Sequence, residues 1–185
     1  RPPRICVFAT VCPPSRYHGP GLGDLISKNG ILKLLKRHFS GCAISIVVDT
    51  RVLSRFREFL LNHSDVDELI EYDHAWSTSW FKRAAFVLEI RRRRFDLCLI
   101  EPESTLRGAH AFVCGIPERV GIASGPGERR FLTQPVEVRA ASAAGPDLID
   151  VIDAFARALG LGPRIALADL TPRFPFRTGQ CLRPP

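Results

Sequence analysis

The run Arg4-Ile5-Cys6-Val7-Phe8-Ala9-Thr10-Val11, the turn-rich segment Cys12 to Gly23 and the step into Asp24-Leu25-Ile26 together decide how this chain folds. Arg4 to Val11 is short and almost continuously apolar, the pattern of a strand covered on both faces. Pro13-Pro14, Gly19, Gly21 and Gly23 then bar a helix. From Asp24 the apolar residues Leu25, Ile26, Ile31, Leu32, Leu34, Leu35 and Phe39 recur at three- and four-residue steps, with Lys28, Lys33, Lys36 and Arg37 between them. That is one amphipathic helix, weakened at Gly30 by about 1 kcal/mol relative to alanine.

The same alternation runs outward from this unit. Ala43 to Val48 reads as a buried strand, Val52 to Leu60 as a helix and Glu68 to Tyr72 as a strand. Trp76 to Arg94 has helical length, Leu97 to Ile100 returns to strand, and Leu106 to Cys114 to helix. Strands follow at Arg119 to Ile122 and Phe131 to Val138, then a helix from Leu148 to Leu159. Strands alternating with helices predict an α/β fold: a Rossmann-like parallel sheet with helices on both faces, joined by right-handed crossovers. Periodicity fades after Gly160-Leu161-Gly162-Pro163, so residues 1–163 form the expected domain and residues 164–185 a linker or tail.

Composition narrows the class. A chain of 185 residues with 45% hydrophobic and 24% charged residues suits one globular domain and excludes a disordered or coiled-coil protein. The longest apolar stretches fall far short of the roughly 20 residues of a bilayer crossing, and Arg1-Pro2-Pro3-Arg4 leads into a strand rather than a secretory signal. A cytoplasmic protein without a transmembrane segment is expected. Cys6, Cys12, Cys42, Cys98, Cys114 and Cys181 form no C-x-x-C pair, so reduced thiols and no metal are expected. The formal charge of +7 comes mainly from arginine, which suits an anionic ligand or surface without naming one.

Chemistry is expected in the Cys12 to Gly23 loop, because ligands of open parallel sheets sit beyond the carboxyl ends of the strands. Gly21 and Gly23 allow close backbone approach, and free amides at a helix start favour an anionic group. Asp24 is placed either to cap those amides or to accept a proton from a hydroxyl, and local chemistry leaves both roles open. Gly19, Gly21 and Gly23, with Asp49 closing the second strand, imitate a dinucleotide fingerprint, but the spacing is not G-x-G-x-x-G. Arg91 to Arg94 reads as the solvated end of a helix, and no nucleic-acid partner is expected. His18, His38, His63, His74 and His110 lack metal-ligand spacing. Trp76 and Trp80, one turn apart, read as packing residues.

Five segments in order resemble the N-terminal domain of glycosyltransferase family 9, the heptosyltransferase family. They are Gly21-Leu22-Gly23-Asp24-Leu25-Ile26, Ser64 to Asp73, Arg94-Phe95-Asp96-Leu97, Thr105-Leu106-Arg107-Gly108-Ala109, and Arg119-Val120-Gly121-Ile122 with Arg130-Phe131-Leu132-Thr133. The likeness covers about residues 4 to 165. It implies the N-terminal, acceptor-side half of an inverting, metal-independent glycosyltransferase of GT-B fold, with no cofactor. Its partners would be a saccharide acceptor and a nucleotide-sugar donor held by a C-terminal domain that nothing after Pro163 resembles. Peripheral association with a membrane is compatible with it.

Carried over residue by residue, the likeness makes Asp24 the catalytic base and assigns Gly21, Gly23, Ser104 and Arg107 to the acceptor. Glu103, Ser104 and Gly108 depart from the family's usual residues, and an acidic Glu103 points to a neutral or amino-sugar acceptor. A non-catalytic carbohydrate- or protein-binding module derived from such a domain is the alternative.

Overall fold

The computed structural model describes residues 1–8, 29–61, 63–72, 79–101, 104–138 and 148–161. At its centre lies β1 (Arg4–Phe8), whose residues 5–8 are all buried, as an apolar run covered on both sides requires. It pairs in parallel with β2 (Ala43–Asp49) on one side and β4 (Leu97–Ile100) on the other. β3 (Glu68–Tyr72) extends the sheet beyond β2, while β5 (Glu118–Ile122) and β6 (Gln134–Val136) extend it beyond β4. The six strands run in the order β3-β2-β1-β4-β5-β6, the doubly wound order with its reversal between β1 and β4.

Side chains alternate between two cores. Ile5, Val7, Ile44, Ile46, Leu97, Leu99 and Val120 face one side, covered by α1 (Asn29–His38), α2 (Thr50–Leu61) and α6 (Leu148–Ala158). Cys6, Phe8, Val47, Cys98 and Ile100 face the other, covered by α3 (Trp80–Arg93) and α4 (Thr105–Val113). Helices thus cover both faces, as the alternation predicts. Cys6, Cys42, Cys98 and Cys114 are buried free thiols. Burial pushes the Cys114 thiol up to about 12, aided by Cys6 beside it, so these thiols pack as small hydrophobes.

Three of the segments that carry the family resemblance have structural duties. Asp67, just before β3, accepts the backbone N–H of Ile44 at 2.6 Å and the Lys36 ammonium at 2.6 Å. Asp96, just before β4, accepts the backbone N–H of Arg4 at 2.8 Å and the Arg1 guanidinium at 3.1 Å. Both carboxylates tie the amino ends of adjacent strands. Arg119 and Thr133 do the same for β5 and β6: the Arg119 N–H donates to Thr133 Oγ1 at 2.7 Å, and the Thr133 N–H to the Arg119 carbonyl at 2.9 Å.

Several local expectations change. Sequence periodicity extends the last strand over Phe131 to Val138, but β6 spans only Gln134–Val136. Phe131 and Leu132 still belong to the turn leaving α5 (Pro126–Arg129), donating to the carbonyls of Glu128 and Arg129. That helix is too short to leave a periodic signal; it is set by Pro126 in its first turn and by Glu128, whose Oε2 accepts the Gly125 N–H at 3.0 Å. Trp80 is 68% exposed and stacks on Phe81 at 3.6 Å between centroids, so it is no packing residue of the core. Within the basic run, Arg91, Arg92 and Arg94 are exposed, whereas Arg93 is half-buried and pairs with Glu68 and with Glu89. The first strand beyond Phe8, the first helix before Asn29, Trp76 and the 164–185 tail lie outside the described residues.

Candidate functional site

β1 sends the chain to α1 on one face and β4 sends it to α4 on the other. Phe8 and Ile100, register partners at the carboxyl ends of these strands, therefore stand where the two connections part. A crevice at that reversal is where open α/β sheets take their ligands. The connection from Phe8 to Asn29 carries Gly21, Gly23 and Asp24, and these three lie outside the described residues, as does Glu103.

The residues described at this reversal are those at the end of β4 and the start of α4. Ser104, extended at φ −159°, is the N-cap of α4, and its Oγ accepts the Arg107 N–H at 3.3 Å. Ser104 and Arg107, expected to act together, are thus joined by the helix start itself. Its hydroxyl satisfies one of the amides a helix start leaves orphaned. Arg107 is half-buried in the first turn.

Two glycines let neighbouring segments close in on this end of the sheet. A Cβ at Gly121 would lie 2.9 Å from the Ile100 carbonyl oxygen, so β5 passes the end of β4 at a distance that excludes any side chain. A Cβ at Gly127 would meet Thr105 Oγ1 at 3.2 Å. Thr105 Oγ1 in turn donates to Glu128 Oε1 at 3.1 Å, fixing the start of α4 against α5.

One turn beyond Arg107, His110 sits between α4 and α3 with Tyr72 and Phe86, their centroids 6.1 and 6.3 Å from its ring. Burial, with the positive charges of Arg83 and Arg107 beside it, holds His110 below the usual imidazole range. The imidazole there is neutral at physiological pH, and the positive charge of this corner rests on the two arginines.

Sequence reasoning passed over Glu101. It follows β4 directly and lines, with Val7, Leu99, Ile152 and Phe155, a small apolar recess under the reversal. Its signal was positional: the first residue past the carboxyl end of a central strand. A larger concavity of about 360 Å³ opens beyond β5 and β6, lined by Ile122, Ser124, Arg129, Glu137 and Val151. Asp49, the residue that invited a dinucleotide reading, is fully buried at the end of β2. Among the described residues no group of three or more His, Cys, Asp or Glu side chains could hold a metal ion. No described helix is long and apolar enough to cross a membrane.

No family model and no curated protein matches the chain. Solved structures do. An Escherichia coli heptosyltransferase WaaC with ADP-2-deoxy-2-fluoro heptose superposes with a TM-score of 0.66 at 17% identity, over 88% of this chain and 50% of that one. The glycosyl transferase family 9 protein of Veillonella parvula gives 0.62 at 19% identity, over 84% and 41%. The E. coli ADP-heptose lipopolysaccharide heptosyltransferase II gives 0.58 at 18%, over 74% and 35%. The chain thus spans half or less of the length of these structures. At such identities the likeness is one of fold: the chain has the Rossmann-like fold of the N-terminal half of a GT-B glycosyltransferase and is similar in fold to heptosyltransferases.

Proposed function

We propose that this chain is the acceptor-side domain of an inverting, metal-independent glycosyltransferase of the cytoplasm, moving heptose or a related sugar from a nucleotide-sugar donor to a saccharide hydroxyl. The observation that carries the reading is the parting of the β1 and β4 connections at Phe8 and Ile100. That reversal sends the Gly21-Leu22-Gly23-Asp24 connection and the Ser104–Arg107 helix start out from neighbouring strands. In this reading residues 1–163 hold the acceptor, residues 164–185 lead toward a donor-binding domain, and no cofactor takes part.

The chemistry assigned to Asp24 is general-base catalysis. Its carboxylate takes the proton of the acceptor hydroxyl while that oxygen attacks the anomeric carbon. The bond from that carbon to the nucleoside diphosphate breaks as the new glycosidic bond forms on the opposite face, so the configuration inverts. Gly21 and Gly23 permit close approach of the acceptor, and Arg107 orients its anionic or hydroxyl groups through paired hydrogen bonds. The positive corner formed by Arg83 and Arg107 supports that last role.

The test joins this chain to its donor-binding half and follows transfer from ADP-heptose to a saccharide acceptor, with the product anomer read by NMR. Asp24→Asn is expected to lower kcat by roughly 10²–10⁴-fold, the usual contribution of a positioned base. Unchanged turnover would leave Asp24 as a helix cap. Absence of transfer by the complete native protein would favour the binding-module alternative.

A further inference from the structure

α3 is apolar on two opposite sides, and among the described residues only one of them is buried in the core. Phe86 and Ile90 are buried in the core, and half-buried Arg93 lies on the same side, bonded to Glu89 at 2.7 Å and to Glu68. At 100° per residue the opposite meridian carries Phe81, Ala84 and Leu88. Phe81 is 67% exposed, Leu88 53% and Ala84 also exposed, with Trp80 alongside, its ring stacked on that of Phe81. A surface helix that only needed to cover the sheet would be polar there.

The charge around this apolar meridian is strongly one-sided. Residues 80–94 hold six basic side chains, Lys82, Arg83 and Arg91 to Arg94, against one acid, Glu89, which is engaged by Arg93. Lys82, Arg91, Arg92 and Arg94 are exposed. We propose that the outer face of α3 is a docking surface for an anionic lipid bilayer, with Trp80, Phe81 and Leu88 entering the headgroup boundary and Arg91 and Arg92, which flank that meridian, meeting lipid phosphates. Aromatic residues on one side and cations at the margin are what an interfacial helix requires. A second copy of the chain would bring the same positive charge against this face, which disfavours self-association. The Trp80 and Phe81 rings stack on each other rather than standing apart to receive bases, which disfavours single-stranded nucleic acid. The surface is independent of whether the chain takes part in sugar transfer.

Co-sedimentation of the native chain with extruded vesicles tests this. Vesicles of phosphatidylcholine with about one-third phosphatidylglycerol should retain the protein at low salt, and pure phosphatidylcholine should not. Arg91→Gln with Arg92→Gln should weaken partitioning about thirtyfold, and Trp80→Ser with Phe81→Ser by at least about tenfold, with circular dichroism unchanged. All four side chains are exposed, so these variants should fold. In a Trp76→Phe background Trp80 is the sole tryptophan, and its emission should shift to the blue on binding. Failure of the folded native chain to bind anionic vesicles, equal binding to neutral ones, or variants that bind as tightly as the native protein would each overturn the proposal. So would binding to a single-stranded RNA homopolymer in preference to vesicles.

Discussion

Asp96 reaches across 92 residues of sequence to accept the backbone N–H of Arg4 at 2.8 Å, bracing β4 against the first residue of β1. Asp67 repeats the device on the other side, holding the Ile44 N–H at 2.6 Å. Each carboxylate meets an amide at a strand's amino end, on the opposite edge of the sheet from the reversal at Phe8 and Ile100. Asp96→Ala and Asp67→Ala should each cost about 1 kcal/mol in urea unfolding, the lower end of the range for a lost hydrogen bond because both carboxylates are partly exposed. Neither should change acceptor KM; a loss of transfer without a loss of stability would contradict this assignment.

Gly121→Ala should be far more damaging than its size suggests. The new methyl would meet the Ile100 carbonyl oxygen at 2.9 Å and Ile100 Cβ and Leu132 Cδ2 at 3.0 Å, and two of those three atoms are backbone or close to it. Overpacking of this kind costs about 1–3 kcal/mol. Gly115, at φ +75° with open space around it, provides the contrast: Gly115→Ala carries only left-handed strain, about 1–2 kcal/mol. Thermal melts of the two variants check the difference, and the Gly121 variant should also disturb near-ultraviolet dichroism.

Ser104 separates a cap from a ligand contact. Ser104→Ala should lower stability by about 1 kcal/mol by removing the acceptor of the Arg107 N–H, while Ser104→Asn, an equally good cap, should restore it. If Ser104 also binds the acceptor, KM rises in both variants. A KM that follows stability instead assigns Ser104 to the helix alone.

His63 supplies a pH dependence. Burial, with Lys33 acting in the same direction and Asp65 opposing, holds it below 6.5, and its Nδ1 accepts the Asp65 N–H at 3.2 Å. The unfolded chain therefore takes up its proton first as pH falls. Stability should decline as pH drops through about 6.5 and level off below the folded-state value. His63→Gln should flatten that slope in denaturant titrations between neutral and mildly acidic pH. Glu68 acts in a lower window: burial raises it, but the hydrogen bonds from Arg93 and Ser45 outweigh that and hold it below the ordinary value. Its contribution persists above pH 4.5 and is lost only as pH falls through the depressed value.

The strands and their order of appearance were legible because a buried parallel strand must be a short apolar run between turn residues, as Ala43 to Val48 and Leu97 to Ile100 are. The α5 turn was not, because four residues leave no period, and β6 was overextended because Phe131 and Leu132 are apolar for packing beside a turn rather than for pairing. Of the site, Ser104 and Arg107 stand at the helix start the sequence indicated, and Gly21, Gly23 and Asp24 lie outside the described residues. The outward side of α3 was misread because periodicity reports that an apolar residue faces something, not whether that something is the core. Trp80 satisfies the spacing and faces away from the sheet.

The brevity of β6 has a consequence for how this domain can meet other proteins. Three residues long and interrupted by Pro135, it presents a margin that cannot seed pairing with a foreign strand, while β3 closes the far margin with Glu68 and Glu71. Among the described residues both outer strands of the sheet are thus blunted, and its growth there by addition of a foreign strand is disfavoured.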